Sequence, residues 1–252
     1  MFVSKQLIRL LLVGALIAII SGCAAVQTSI AKRNLDVQTR ISTAIFVDAV
    51  KRQDRVVYVD IRSGVMEFDR NAFRKAVVAE FANNGNGYRI TDDPDAAQYQ
   101  MNIFVTKLEK ASPTAADVAL SKGYGGDVGA GAALGATMGS RRGSASSTVG
   151  GGILGALGTT AANAFVQDVT YLLVADVQIK EKTRKGVIVR KDTQISAKVS
   201  DAGSSTQRVS EATNRKEYRT RIVTTANKAN LTMEEAQPLM FQKTAYAMSS
   251  FF

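Results

Sequence analysis

"DVTYLLVADVQIKEKTR", residues 168–184, decides the fold. Its apolar side chains alternate at Tyr171, Leu173, Ala175, Val177 and Ile179, and a period of two places them on one face of a long, half-buried strand. A strand of that length needs neighbours, and the flanking sequence offers them on both sides. Downstream, "KGVIVRKDTQISAKV" and "KEYRTRIVTTANKANL" read as two further strands, separated by "SDAGSSTQ", whose small polar residues predict a loop.

Upstream, "RVVYVDIRSG" is rich in β-branched residues and closes on Ser63-Gly64, so residues 55–62 read as a strand. Asp69 is placed to cap a helix whose apolar face is Phe73, Ala76, Val77 and Phe81. "NNGNG" at 83–87 stops that helix, because Asn and Gly accept the left-handed conformation. "GYRIT" and "AQYQMNIFVTKLEK" supply two more strands around the turn Thr91-Asp92-Asp93-Pro94-Asp95. Those aspartates lack the twelve-residue spacing of an EF-hand and suit turn and capping roles. The resulting β-α-β-β order predicts an α+β domain, an antiparallel or mixed sheet with packed helices.

The chain closes on "LTMEEAQPLMFQKTAYAMSSFF", where Thr232 and Glu235 form a capping-box pattern. Met233, Ala236, Met240 and Ala247 recur near helical spacing, while Pro238 should kink the helix or delay its start. Packing against the sheet is the simplest role for its apolar face. Between Val26 and Val50 polar and apolar residues mix at helical spacing, with Ile30, Leu35, Val37, Ile41, Ile45 and Phe46 as candidates for burial. Residues 23–54 therefore read as a tether or short helix.

Composition limits the chemistry. With 46% apolar and 21% charged residues among 252, the chain can bury a substantial core. It has no His, no Trp and one Cys, which excludes His-dependent triads, disulfide frameworks and multi-Cys zinc sites. No G-x-S-x-G elbow appears, and nothing sets Asp or Glu pairs in a common cleft, so an enzyme is not expected, nor any catalytic or metal-binding residue. The net charge of +10 favours anionic partners.

The single thiol sits in "IISGCAAV", residues 19–26. Lys5 and Arg9 precede an apolar run from Leu10 to Ile20, followed by Ser21 and Gly22, which is the layout of a secretory signal over residues 1–22. At about 11 residues the run is too short to span a bilayer. Ile20-Ser21-Gly22-Cys23 resembles the bacterial lipobox, which implies a diacylglycerol and an N-acyl chain on Cys23 and no other cofactor. Each buried methylene contributes about 0.8 kcal/mol, so several chains on one cysteine hold the protein on the membrane. Ala24 behind the cysteine, by resemblance to enterobacterial lipoproteins, implies the outer membrane. Export also removes nucleic acid from the list of partners.

Residues 123–167 break from their surroundings. Gly131, Gly135 and Gly139 recur every fourth residue, as do Gly151 and Gly155, so on helices they would line faces where backbones approach closely. In water each costs about 1 kcal/mol relative to Ala. Lipid or neighbouring subunits must then stabilise these helices, since Leu134, Met138, Ile153, Leu154, Leu157 and Phe165 argue against a flexible linker. The expectation is a glycine-zipper membrane hairpin packed between copies, with Arg141 and Arg142 at its tip facing lipopolysaccharide or an external partner. Residues 55–122 and 168–252 remain as the periplasmic body.

"SIAKRNLDVQTRIS", "VQDVTYLLVADVQIKEKT" and "YRTRIVTTANKANLTMEEAQP" resemble the TraT family of surface-exclusion and complement-resistance lipoproteins over nearly the whole mature chain. The resemblance implies a surface-exposed outer-membrane homo-oligomer that blocks conjugative mating with donors of related plasmids and lessens complement killing. Its partners would be itself, the outer membrane and a donor-cell mating apparatus or recipient surface protein. An oligomeric lipoprotein pore or secretion-channel component is the competing reading.

Overall fold

The computed structural model describes residues 31–121, 166–199 and 203–252. Along the chain these form β1 (Asp36–Ile41), a 3-10 turn (Arg52–Asp54), β2 (Val56–Ser63), α1 (Arg70–Asn83), β3 (Arg89–Thr91), β4 (Tyr99–Ala111), α2 (Pro113–Ser121), β5 (Asp168–Lys182), β6 (Val189–Val199), β7 (Gly203–Thr213), β8 (Arg215–Ala229) and α3 (Met233–Ser249). Six strands make one mixed sheet in the order β1-β8-β5-β4-β2-β3. Among the described strands, β2 alone runs parallel to its neighbours, β3 and β4; the other pairs are antiparallel. The fold class is α+β, as the β-α-β-β order predicts.

Asp69 caps α1 by accepting from the Ala72 N–H at 2.9 Å, and the helix buries Phe73, Val77 and Phe81 on the sheet. Behind it, Gly85 and Gly87 take φ of 73° and 71°, the left-handed region their sequence anticipates. Thr232 caps α3 by accepting from Glu235 N–H. Pro238 lies inside α3 and does not delay its start at Met233. Phe241 of α3 meets Phe73 and Phe68 edge-on, at centroid distances of 5.0 and 5.3 Å, and locks both helices onto one face of the sheet. A second cluster joins Tyr88, Tyr99 and the terminal Phe252, with centroids 5.2–5.9 Å apart.

On β5, Leu173, Ala175, Val177 and Ile179 are buried in this core, and Tyr171 packs at its margin. Leu172 and Val174, on the reverse face, are buried as well, with Val223 and Ala119. The cover is α2, a helix the sequence reading does not include. The strand is thus two-sided in its first half and half-buried in its second.

Three expectations are corrected. Residues 36–41 are not helical: Val37 and Ile41 alternate with polar neighbours along an edge strand that completes β8. Ile45 is buried as expected, whereas Phe46 is 83% exposed. "SDAGSSTQ" is not wholly loop, since β7 begins at Gly203 and pairs with β6 through Thr213. A two-stranded ribbon apart from the main sheet has no core of its own to fill, so its residues are polar for the same reason that loop residues are. The aspartate turn behaves as read: Asp93 N–H donates to Thr91 Oγ1 at 3.2 Å and Asp95 N–H to Asp93 Oδ1 at 2.9 Å. Among the described residues, no helix is long and apolar enough to cross a membrane.

Candidate functional site

β8 ends at Ala229, and the next residue turns the chain toward α3 with φ 55°, a left-handed conformation that Asn adopts more readily than most residues. This reversal aims consecutive backbone donors at two different segments. Ala229 N–H donates to the Lys32 carbonyl at 2.9 Å, and Asn230 N–H donates to the Gln167 carbonyl at 2.7 Å. The Asn230 Oδ1 in turn accepts from Gln167 N–H at 2.8 Å. Lys32 lies just after the N-terminal segment; Gln167 just after the glycine-rich one. Adjacent residues therefore clasp both.

Asn227 reinforces this end from the middle of the sheet, its Nδ2 donating to Asp168 Oδ1 at 2.6 Å and to Thr170 Oγ1 at 2.8 Å. A chain of hydroxyls fastens β1 to α3 through β8: Thr39 and Thr224 meet at 3.1 Å, Thr224 and Thr244 at 2.7 Å, and Thr244 donates to the Met240 carbonyl at 2.7 Å. Thr224 and Thr244 are fully buried, so each hydroxyl needs such a partner. The edge strand is held by side chains as well as by its ladder.

The reverse face of the sheet carries a charged belt centred on Glu217. Lys191 of the β6–β7 ribbon reaches its Oε2 at 2.6 Å, Arg219 its Oε1 at 2.6 Å, and Gln178 donates to Oε1. Burial pushes the Glu217 carboxyl up, but the hydrogen bonds from Lys191, Gln178 and Arg219 outweigh it and bring the pKa down to about 2. Asp176 pairs with Arg221 further along the belt. Near the opposite end from the clasp, the Lys216 ammonium holds the Asp48 carboxyl below its usual range. These groups are paired, and their arrangement binds the ribbon and loops to the sheet.

Cys23, Gly131, Gly135, Gly139, Arg141, Arg142, Gly151 and Gly155 lie outside the described residues. The structure brings together the segments flanking them. Asn230 and Asn227 are absent from the residues singled out in the sequence, although "KANLT" does hold a signal: an Asn between a strand's end and a helix N-cap is suited to a left-handed reversal.

A mixed sheet with two helices on one face, and with Lys32 and Gln167 clasped together at one end, defines an α+β body. The chain belongs to the TraT family: the family described as "Enterobacterial TraT complement resistance protein" matches residues 34–252. A TraT complement resistance protein of Escherichia coli is 35% identical over 93% of each chain. Another, from Escherichia coli strain K12, is 34% identical over 99% of each. One from Wigglesworthia glossinidia brevipalpis is 21% identical over 100% of this chain and 99% of its own. Among solved structures, a dodecamer of a PelC point variant from Paraburkholderia phytofirmans covers 85% of this chain and 99% of its own at 8% identity, with a TM-score of 0.33, too low to define a shared fold. The family is one of complement resistance proteins and not of known enzymes.

Proposed function

We propose that this chain is an outer-membrane lipoprotein that assembles as a homo-oligomer and mediates surface exclusion, blocking conjugative mating with donors of related plasmids, and that it contributes to complement resistance. The observation that carries the reading is the family match over residues 34–252. The clasp supports the reading, since it holds Lys32 and Gln167, which follow the N-terminal and the glycine-rich segments, at a common end of the body. Two attachments there hold one orientation, where a single flexible tether would allow many. Glycine faces at Gly131, Gly135, Gly139, Gly151 and Gly155 then join hairpins of neighbouring copies, and Arg141 and Arg142 present cations to lipopolysaccharide or to an incoming donor's surface.

Mating frequency tests this directly. Recipients carrying the chain should accept a related plasmid less often, by an order of magnitude or more, than recipients without it, and an unrelated plasmid equally often. A Cys23→Ser form should restore mating and lose fatty-acid labelling. Undiminished mating with a fully acylated, surface-detected protein would sink the exclusion reading.

A further inference from the structure

At the end of the sheet away from the clasp, the 3-10 turn, the last turns of α1 and β3 surround an open pocket of about 930 Å³. Its apolar lining comes from Val78, Phe81, Ala82 and Ile90. Its rim is cationic. A Cβ added at Gly87 would lie 3.8 Å from Arg52 Nε and 3.8 Å from Arg55 Nη1, so two guanidinium groups flank the space above one glycine. Arg89, also on the lining, donates from Nη2 to the Gln53 carbonyl at 3.4 Å.

Arg55 is held in place. Its Nη1 donates to the Asn86 carbonyl at 2.7 Å, and its guanidinium carbon lies 5.6 Å from the Tyr88 ring centroid. Its Nε is buried without a partner. Among the described residues no carboxylate lies within 4.0 Å of the Arg52, Arg55 or Arg89 guanidinium. Elsewhere on this molecule arginines meet carboxylates, as Arg62, Arg74, Arg219 and Arg221 do. Arg52 and Arg89 on the lining, with Arg55 beside Gly87 at its edge, bring three guanidinium groups to one concavity with no carboxylate in ion-pair contact, which favours an anion there.

We propose that this pocket is a binding site for a phosphate group, received between Arg52 and Arg55 over Gly87 with Arg89 at the rim, while the apolar lining accepts what the phosphate is attached to. Planar guanidinium groups match phosphate oxygens in paired hydrogen bonds. Glycine at position 87, with φ 71°, leaves the approach between them open. The apolar lining makes a lipid-borne phosphate a better ligand than the free ion. The site is independent of the surface-exclusion reading, because it uses neither the glycine-rich segment nor Cys23.

The test is calorimetric titration of the full chain, in uncharged detergent, with inorganic phosphate, dihexanoyl phosphatidic acid and uncharged dihexanoylglycerol. Phosphatidic acid should bind to the wild type and dihexanoylglycerol should not. Arg52→Gln should weaken binding about tenfold, equivalent to one charge-assisted hydrogen bond. Gly87→Asp, which sets a carboxylate between the two arginines, should abolish it, with a melting temperature only a few degrees lower from placing a side chain at φ 71°, so that the protein is still folded at the temperature of the titration. Tighter binding of phosphatidic acid than of inorganic phosphate identifies a lipid headgroup as the source; equal affinities identify free phosphate. Affinities unchanged in both variants, or dihexanoylglycerol binding as well as phosphatidic acid, would overturn the proposal.

Discussion

At φ 55° Asn230 occupies a backbone region that costs most L-residues roughly 1–2 kcal/mol, and its side chain recovers part of that by accepting from Gln167 N–H. The two contributions are separable by substitution. Glycine keeps the reversal and loses the side chain's hydrogen bonding, so Asn230→Gly should cost about 1 kcal/mol. Alanine loses both, so Asn230→Ala should cost about 2–3 kcal/mol. In a chain of this size each kcal/mol lowers the melting temperature by roughly 2–4 °C, which places the three proteins in a measurable order. Melting temperatures that put alanine level with glycine would show that the left-handed turn is not what holds this end.

Element by element, the sheet was legible where burial is one-sided or abrupt. Alternation along β5, Asp69 before α1, the glycines behind it and Thr232 before α3 each express a local physical demand, and each element formed where that demand lies. What escaped depends on partners remote in sequence. β1 is a strand because β8 offers it an open edge, α2 packs because Leu172, Val174 and Val223 present an apolar patch, and β7 starts as early as Gly203 because β6 is there to pair with it. At the candidate site the capping of α3 could be read locally, but the clasp joins Asn230 to Gln167 and could not. The ribbon raises its own question, because a lone two-stranded hairpin is marginal in water. Among the described residues, one tie to the body is the ion pair of Lys191 with Glu217. Folding lowers the Glu217 carboxyl from 4.5 to about 2, so its contribution is complete above pH 4.5 and is lost as pH falls toward 2. Glu217→Gln should therefore speed amide exchange across Val189–Val199 and Gly203–Thr213 at neutral pH. The stability gap between wild type and variant should close across that acid window. A gap that persists at pH 2, measured by urea midpoint, would place the stabilisation elsewhere.

For the whole molecule the decisive geometry is the length of β5, whose fifteen residues run from the clasp to the far end of the sheet, a distance of about 45 Å at the usual strand rise. Asn34 stands beside the clasp, whereas Gln53 lies at the phosphate-pocket end, where Tyr99 hydroxyl donates to the Asp48 carbonyl at 2.6 Å. If acylated Cys23 and the glycine-rich hairpin both enter the bilayer, the body must stand on its clasp end, with the pocket end directed away from that surface. The sequence makes this easy to read, because Cys23 is its single cysteine and acylation leaves no other thiol to react. Fluorophores attached to Asn34→Cys and to Gln53→Cys, in protein reconstituted into vesicles containing nitroxide-labelled headgroups, should differ sharply: strong quenching at 34 and almost none at 53. Removing the lipid with a Cys23→Ser change while keeping the hairpin should leave that contrast in place but weaken it, since one of two attachments remains. Equal quenching at both positions would mean that the body lies along the membrane, and an anchored end would then no longer explain how the molecule is displayed.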